Sequence, residues 1–125
     1  MLFAYASATV PKITLIMRKA YGGAYIGMCN TEMGADMVFA WPNAEIGMMD
    51  AKSAAKIMYA DSDAATINEK AAEYATLQSS VESAARRGYV DTIIEAEDTR
   101  KYVIGAFEML FTKSEDRPAK KHGTV

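Results

Sequence analysis

A chain of 125 residues, half of them hydrophobic and 24% charged, is long enough for one domain with a modest core. Fourteen Lys and Arg against sixteen Asp and Glu leave a formal net charge of −2, so there is no overall basic field to attract nucleic acid. A single cysteine and a single histidine exclude an internal disulfide and a Cys/His metal cluster, and no apolar run has the length needed to cross a bilayer.

The chain opens on Leu2-Phe3-Ala4-Tyr5-Ala6-Ser7-Ala8, which reads as the last turns of a helix stopped by Pro11. An apolar helix with no cap before it suggests that Met1 lies where a longer protein was cut or its reading frame interrupted. The basic segment, apolar segment and cleavage pattern of a secretory signal are missing from this start. Together with the lone Cys29, that points to a reducing, cytoplasmic setting.

Residues 12–17, Lys-Ile-Thr-Leu-Ile-Met, have strand character, and residues 24–29, Ala-Tyr-Ile-Gly-Met-Cys, a weak helical pattern. Between them lie Gly22 and Gly23. Paired glycines let the backbone approach a ligand and adopt φ values closed to other residues. At a helix start the first N–H groups have no intrahelical acceptor, and the helix dipole adds positive character, so this turn is suited to a developing oxyanion. The simpler alternative is a tight strand-to-helix turn whose glycines serve packing alone.

Two further strand-like runs follow at residues 36–41 and 45–49, separated by Pro42-Asn43. Strands alternating with helical crossovers imply an α/β arrangement around a largely buried sheet. Asp50 is suited to cap the next helix, with Ala51, Ala54, Ala55 and Met58 on one face. Asp61-Ser62-Asp63 breaks that pattern and starts another helix carrying Ile67, Ala71, Tyr74 and Ala75 inward. Ser79 and Glu82 have capping-box spacing for a short helix with Val81, Ala84 and Ala85 inside, ended by Gly88. Residues 90–94 return to strand, and Asp98 or Thr99 starts a last helix whose stripe is Tyr102, Val103, Ala106, Phe107 and Leu110. This divides the chain into a folded part, 1–113, and a polar tail, 114–125, with the basic cluster Lys120-Lys121-His122. No internal repeat is visible in the sequence.

Side-chain catalysis finds little support. His122, the only histidine, sits in the tail, where a triad would be poorly oriented. Cys29 reads as a small buried apolar residue, and Glu95, Glu97 and Asp98 as solvent-facing or capping groups. The nine methionines sit mostly beside other apolar residues, which suggests that they fill irregular core space. What remains is main-chain chemistry: the amides of Gly23 and Ala24 stabilising an enolate, with no protein nucleophile required.

The phrases Pro11-Lys12-Ile13-Thr14, Arg18-Lys19-Ala20-Tyr21-Gly22-Gly23-Ala24-Tyr25, Gly34-Ala35-Asp36, Ala40-Trp41-Pro42-Asn43-Ala44-Glu45-Ile46, Ala84-Ala85-Arg86-Arg87-Gly88-Tyr89-Val90-Asp91 and Pro118-Ala119-Lys120-Lys121-His122-Gly123 occur in this order along almost the whole chain. Together they closely resemble the C-terminal part of the carboxyltransferase subunit of biotin-dependent acyl-CoA carboxylases and decarboxylases, the propionyl-CoA carboxylase β and methylmalonyl-CoA decarboxylase α group. The resemblance implies an α/β, crotonase-like ββα superhelix, of which this chain is the later portion of the second domain. It implies transfer of a carboxyl group between biotin, presented by a separate carrier protein, and the α-carbon of a short acyl-CoA, with no metal.

On the same basis, the amides of Gly23 and Ala24 face biotin, and Gly22, Tyr25 and Ile26 contribute to the substrate pocket. Several family members have Asp where this chain has Ile26, so the preferred acyl group stays open. The implied partners are the N-terminal carboxyltransferase domain, which holds most of the CoA site, a biotin carboxyl carrier protein, and further copies in a homo-oligomer. A biotin carboxylase subunit would set the carboxylation direction. Membrane decarboxylase subunits would set the reverse, and would make a cytoplasmic chain peripheral to a membrane complex. An incomplete domain should also expose apolar surface and self-associate. Two other readings are a non-catalytic interaction or assembly module derived from the family, and another crotonase-type acyl-CoA enzyme such as a hydratase or thioesterase. The latter would need an acid or base that the sequence does not locate.

Overall fold

The computed structural model describes residues 1–116. The tail cluster Lys120-Lys121-His122 and the phrase 118–123 lie outside the described residues. Helix α1 (Leu2–Ser7) precedes strand β1 (Ile13–Ile16), strand β2 (Lys19–Tyr21) and helix α2 (Gly22–Gly27). Strands β3 (Met37–Ala40) and β4 (Glu45–Gly47) then lead into helix α3 (Ala51–Met58). The order β-β-α therefore occurs twice in succession, a structural repeat that the sequence does not display. Helix α4 (Ala64–Tyr74), a π-helical stretch (Ala75–Ser79), helix α5 (Val81–Arg86), strand β5 (Thr92–Ile93) and helix α6 (Thr99–Met109) complete the described chain.

Each unit contributes one strand to each of two sheets. β1, β3 and β5 form a three-stranded parallel sheet in the order β1-β3-β5, and β2 and β4 pair in parallel as a second sheet. The expected α/β architecture with parallel strands and helical crossovers is thus observed. Parallel strands covered on both faces need apolar side chains in both alternating positions, and β3 meets that need. Val38 and Ala40 join a core with Ile16, Ile46, Val81 and Val90, whereas Phe39 joins Ile94 and Ala106 in a second cluster.

Several boundaries differ from expectation. β2 was hidden in Arg18-Lys19-Ala20-Tyr21, because three residues are too few to show a period. α2 begins at Gly22 rather than Ala24, and Cys29 lies beyond its end, buried, with φ 69°. The cap of α5 is Ser80, not Ser79: the Ser80 hydroxyl accepts from the Ser83 N–H at 3.3 Å. The π-helical turn carries the preceding helix one residue further and buries Ser79 at 1% exposure, so the extended residue needed at a helix start falls at 80. On α6, Ala106 is buried and Val103 and Leu110 are half-buried. Phe107 remains 48% exposed, and Tyr102 packs edge-on against Phe39 with ring centroids 5.8 Å apart.

Asp50, Asp63 and Gly88 act as anticipated. Asp50 accepts from the Ser53 N–H at 3.3 Å, Asp63 is the residue before α4, and Gly88 follows α5 with φ 82°. The last described residues are tied back to the sheet. Lys113 Nζ lies 2.8 Å from Asp36 Oδ1, and Asp36 Oδ2 accepts from the Lys12 N–H at 2.7 Å. Apolar side chains nonetheless remain in solvent, among them Phe111 at 87%, Met48 at 75% and Ile57 at 68%.

Candidate functional site

The site builds outward from the junction of β2 and α2. Tyr21 is still extended, at φ −120° and ψ 139°, and Gly22 reverses the chain with φ 59°. A β-carbon on Gly22 would stand 3.0 Å from the Met48 carbonyl oxygen, so both its conformation and its surroundings demand glycine. At Gly23 a β-carbon would meet no atom within 4 Å, and Gly23 and Ala24 are both exposed. No side chain caps α2. As residues of the first turn, Gly23 and Ala24 have N–H groups with no carbonyl four residues earlier in the helix.

The five candidate residues, Gly22, Gly23, Ala24, Tyr25 and Ile26, lie together on α2, which forms a wall between two cavities. A groove of about 520 Å³ runs along β1 and β2 and is lined by Ala24 and Tyr25 with Thr14, Tyr21 and Met28. On the other side, a cavity of about 280 Å³ is lined by Gly22, Tyr25 and Ile26 with Glu32, Met48 and Arg87. The Tyr25 hydroxyl is buried and has no hydrogen-bond partner among the described residues. Its burial, then the neighbouring Glu32 and Tyr89, raise its pKa above the ordinary phenol value, so it stays a neutral donor. Ile26, 37% exposed, adds an apolar side chain to the cavity.

Tyr21 and Trp41 both have polar attachments. The Trp41 indole N–H donates to Thr99 Oγ1 at 2.9 Å, which anchors α6 to the end of β3. The Tyr21 hydroxyl donates to Glu45 Oε2 on β4. Burial first, and then that hydrogen bond and the Glu45 and Asp50 charges, push the Tyr21 pKa far above the ordinary phenol value. Sequence reasoning missed Glu45 because the strand that brings it opposite Lys19 was itself hidden. Cys29 is 3% exposed, consistent with a packing residue. No group of three or more His, Cys, Asp or Glu among the described residues could hold a metal ion, and no described helix is long and apolar enough to cross a membrane. The site can offer two first-turn amides on exposed residues, a neutral phenol and apolar walls.

The whole chain, residues 1–125, matches the family described as the Carboxyl transferase domain. It is 50% identical over 129 residues to the methylmalonyl-CoA carboxyltransferase 12S subunit of Propionibacterium freudenreichii subsp. shermanii, covering 98% of this chain and 25% of that protein. It is 49% identical over 130 residues to the methylmalonyl-CoA decarboxylase subunit alpha of Propionigenium modestum, covering 99% of this chain and 25% of that protein. Among solved structures, the transcarboxylase 12S hexamer with hydrolysed methylmalonyl-coenzyme A bound superposes with a TM-score of 0.92 at 49% identity, covering 98% of this chain and 24% of that one. This likeness bears out the expected crotonase-like ββα fold. The chain spans about a quarter of the length of the curated relatives it matches.

Proposed function

Because this chain belongs to the carboxyl transferase domain family, we propose that it supplies part of a carboxyltransferase acting between biotin and the α-carbon of a short acyl-CoA. The observation that carries this reading is the junction at Gly22. Its reversed backbone, set against the Met48 carbonyl, leaves Gly23 and Ala24 exposed, with Ala24 lining the groove. Two main-chain N–H donors suit a carbonyl oxygen that gains negative charge, which is what the ureido oxygen of biotin would present there. When bound, biotin supplies the carboxyl carrier and the base for the α-proton.

The chain's own residues hold and orient. The Gly23 and Ala24 amides stabilise the oxyanion without a change of protonation, since a peptide N–H keeps its proton across the working pH range. Gly22 keeps a side chain away from the junction. Tyr25 and Ile26 shape the walls on either side of α2 and exclude water from them. A low local dielectric increases the value of fixed dipoles at the moment charge develops.

In the complete enzyme, the rest of the polypeptide supplies most of the CoA site, a separate carrier protein brings biotin, and further copies of the chain complete a homo-oligomer. A biotin carboxylase subunit or membrane decarboxylase subunits then set the direction. The exposed apolar side chains of the described surface are consistent with such coverage.

The test is avidin-sensitive decarboxylation of malonyl-CoA and methylmalonyl-CoA with free biotin, using this chain alone and together with the remainder of the polypeptide. Turnover is expected only in the second case. In the complete enzyme, Ala24→Pro removes one amide donor and is expected to abolish transfer while CoA binding persists. Near-normal turnover in that variant would sink the oxyanion assignment.

A further inference from the structure

The junction between β2 and α2 is held to β4 at three levels. Lys19, Ala20 and Tyr21 pair in register with Glu45, Ile46 and Gly47, and Gly22 then lies against the carbonyl of Met48. Over this ladder, the Tyr21 side chain reaches back two residues along β4 to place its hydroxyl on Glu45. Glu45 is itself well anchored. Its N–H donates to the Arg18 carbonyl at 2.6 Å, its backbone bridges Ser80, and Lys19 Nζ stands 4.0 Å from its carboxylate.

Resting on the role given above to the Gly23 and Ala24 amides, we propose that Tyr21 is a positioning residue for carboxyl transfer, its hydrogen bond to Glu45 fixing the direction in which those amides are presented. The need for such a device follows from the sequence. Two successive glycines form the most permissive backbone available, so the first turn of α2 is restrained less at Gly22-Gly23 than it would be at residues with side chains. A three-residue strand is too short to do so by its ladder alone. Tyr21 sets, through its ψ, the Tyr21–Gly22 peptide plane from which the Gly22–Gly23 and Gly23–Ala24 planes continue, and its side chain is locked to a carboxylate on the neighbouring strand. Tyr21 also lines the same groove as Ala24, so the restraint acts beside the reacting groups. The raised phenol pKa keeps the donor proton in place throughout any practical assay range.

The experiment uses the full-length polypeptide that contains this chain, assayed for biotin-dependent decarboxylation of malonyl-CoA. Tyr21→Phe deletes only the hydroxyl. It is expected to lower kcat about tenfold, with KM for the acyl-CoA held within about twofold, because the lost restraint concerns the transition state rather than CoA binding. Glu45→Gln keeps an acceptor oxygen and should lose less than Glu45→Ala. Hydrogen exchange over residues 20–27 should accelerate in Tyr21→Phe while residues 37–40 stay as protected as before. A Tyr21→Phe enzyme with unchanged kcat, or one that loses thermal stability alone, overturns the positioning role. Ala24→Pro, measured alongside, separates the two ideas: if it is inactive while Tyr21→Phe is fully active, only the positioning role fails. If Ala24→Pro is itself active, the amide reading beneath it has failed.

Discussion

The two ββα units run in parallel and begin their helices in opposite ways. After β4, Asp50 stays extended and its carboxylate accepts from the Ser53 N–H at 3.3 Å, so the first turn of α3 is closed by a side chain. After β2, no side chain caps α2, Gly22 turns at φ 59°, and Gly23 and Ala24 face solvent. One topology thus produces one helix start closed by a side chain and one that no side chain caps. The residue type at the helix boundary decides which.

The largest effect expected on this contrast comes from Gly22→Ala. A methyl group there faces both an unfavourable φ and a carbonyl at 3.0 Å, so a loss of about 2–4 kcal/mol is expected in denaturant unfolding. Gly88→Ala is the matched control. Its φ is 82°, yet no atom lies within 4 Å, so only the conformational cost of about 1 kcal/mol applies. Equal losses in the two variants would show that contact with Met48 does not hold the junction. Next in size is Ser80→Ala, which removes the cap of α5 and should cost about 1 kcal/mol. The same change at Ser79 removes no cap, so the comparison tests which serine starts the helix.

The smallest effects appear as pH dependence. Hydrogen bonds from Ser53 hold the Asp50 carboxyl below its ordinary pKa. At Asp36, desolvation pushes the carboxyl up, but the Lys113 ammonium and the Lys12 N–H together outweigh it and leave the pKa lowered. In both cases the unfolded chain takes up a proton at higher pH than the folded one. The stabilisation is therefore complete above about pH 4 and is lost as pH falls through the folded-state pKa. Asp50→Asn keeps a capping oxygen but cannot titrate, so it should remove part of the acid slope and change little at neutral pH. Lys113→Met should flatten the slope further by withdrawing the cation from Asp36. Urea midpoints measured across the acid range would check both. An unchanged slope in the double variant would show that acid unfolding starts elsewhere.

Much of the fold could be read from local signals. Pro11 and Asp50 marked boundaries, Gly88 marked a helix end, and the apolar run around Phe39 marked a strand. The candidate site was legible for the same reason, since Gly22, Gly23, Ala24, Tyr25 and Ile26 are contiguous and lie on one short helix. Its support was not legible. Tyr21 and Glu45 are 24 residues apart and meet only because two three-residue strands align.

By itself, the sequence determined the order of the helices and of the strands other than β2, the glycine pair at the head of α2 and the side chain of Asp50 that closes the start of α3. These depend on φ preferences and hydrogen bonds within a few residues, which each segment carries wherever it sits. Only the tertiary structure decided that Lys19-Ala20-Tyr21 is a strand, that Ser80 rather than Ser79 caps α5, that Phe107 stays outside while Ala106 is buried, and that Tyr21 binds Glu45. Apart from the cap, which follows the π-helical turn before it, each of those outcomes requires a partner from another element, and local preference carries no information about where that partner will be.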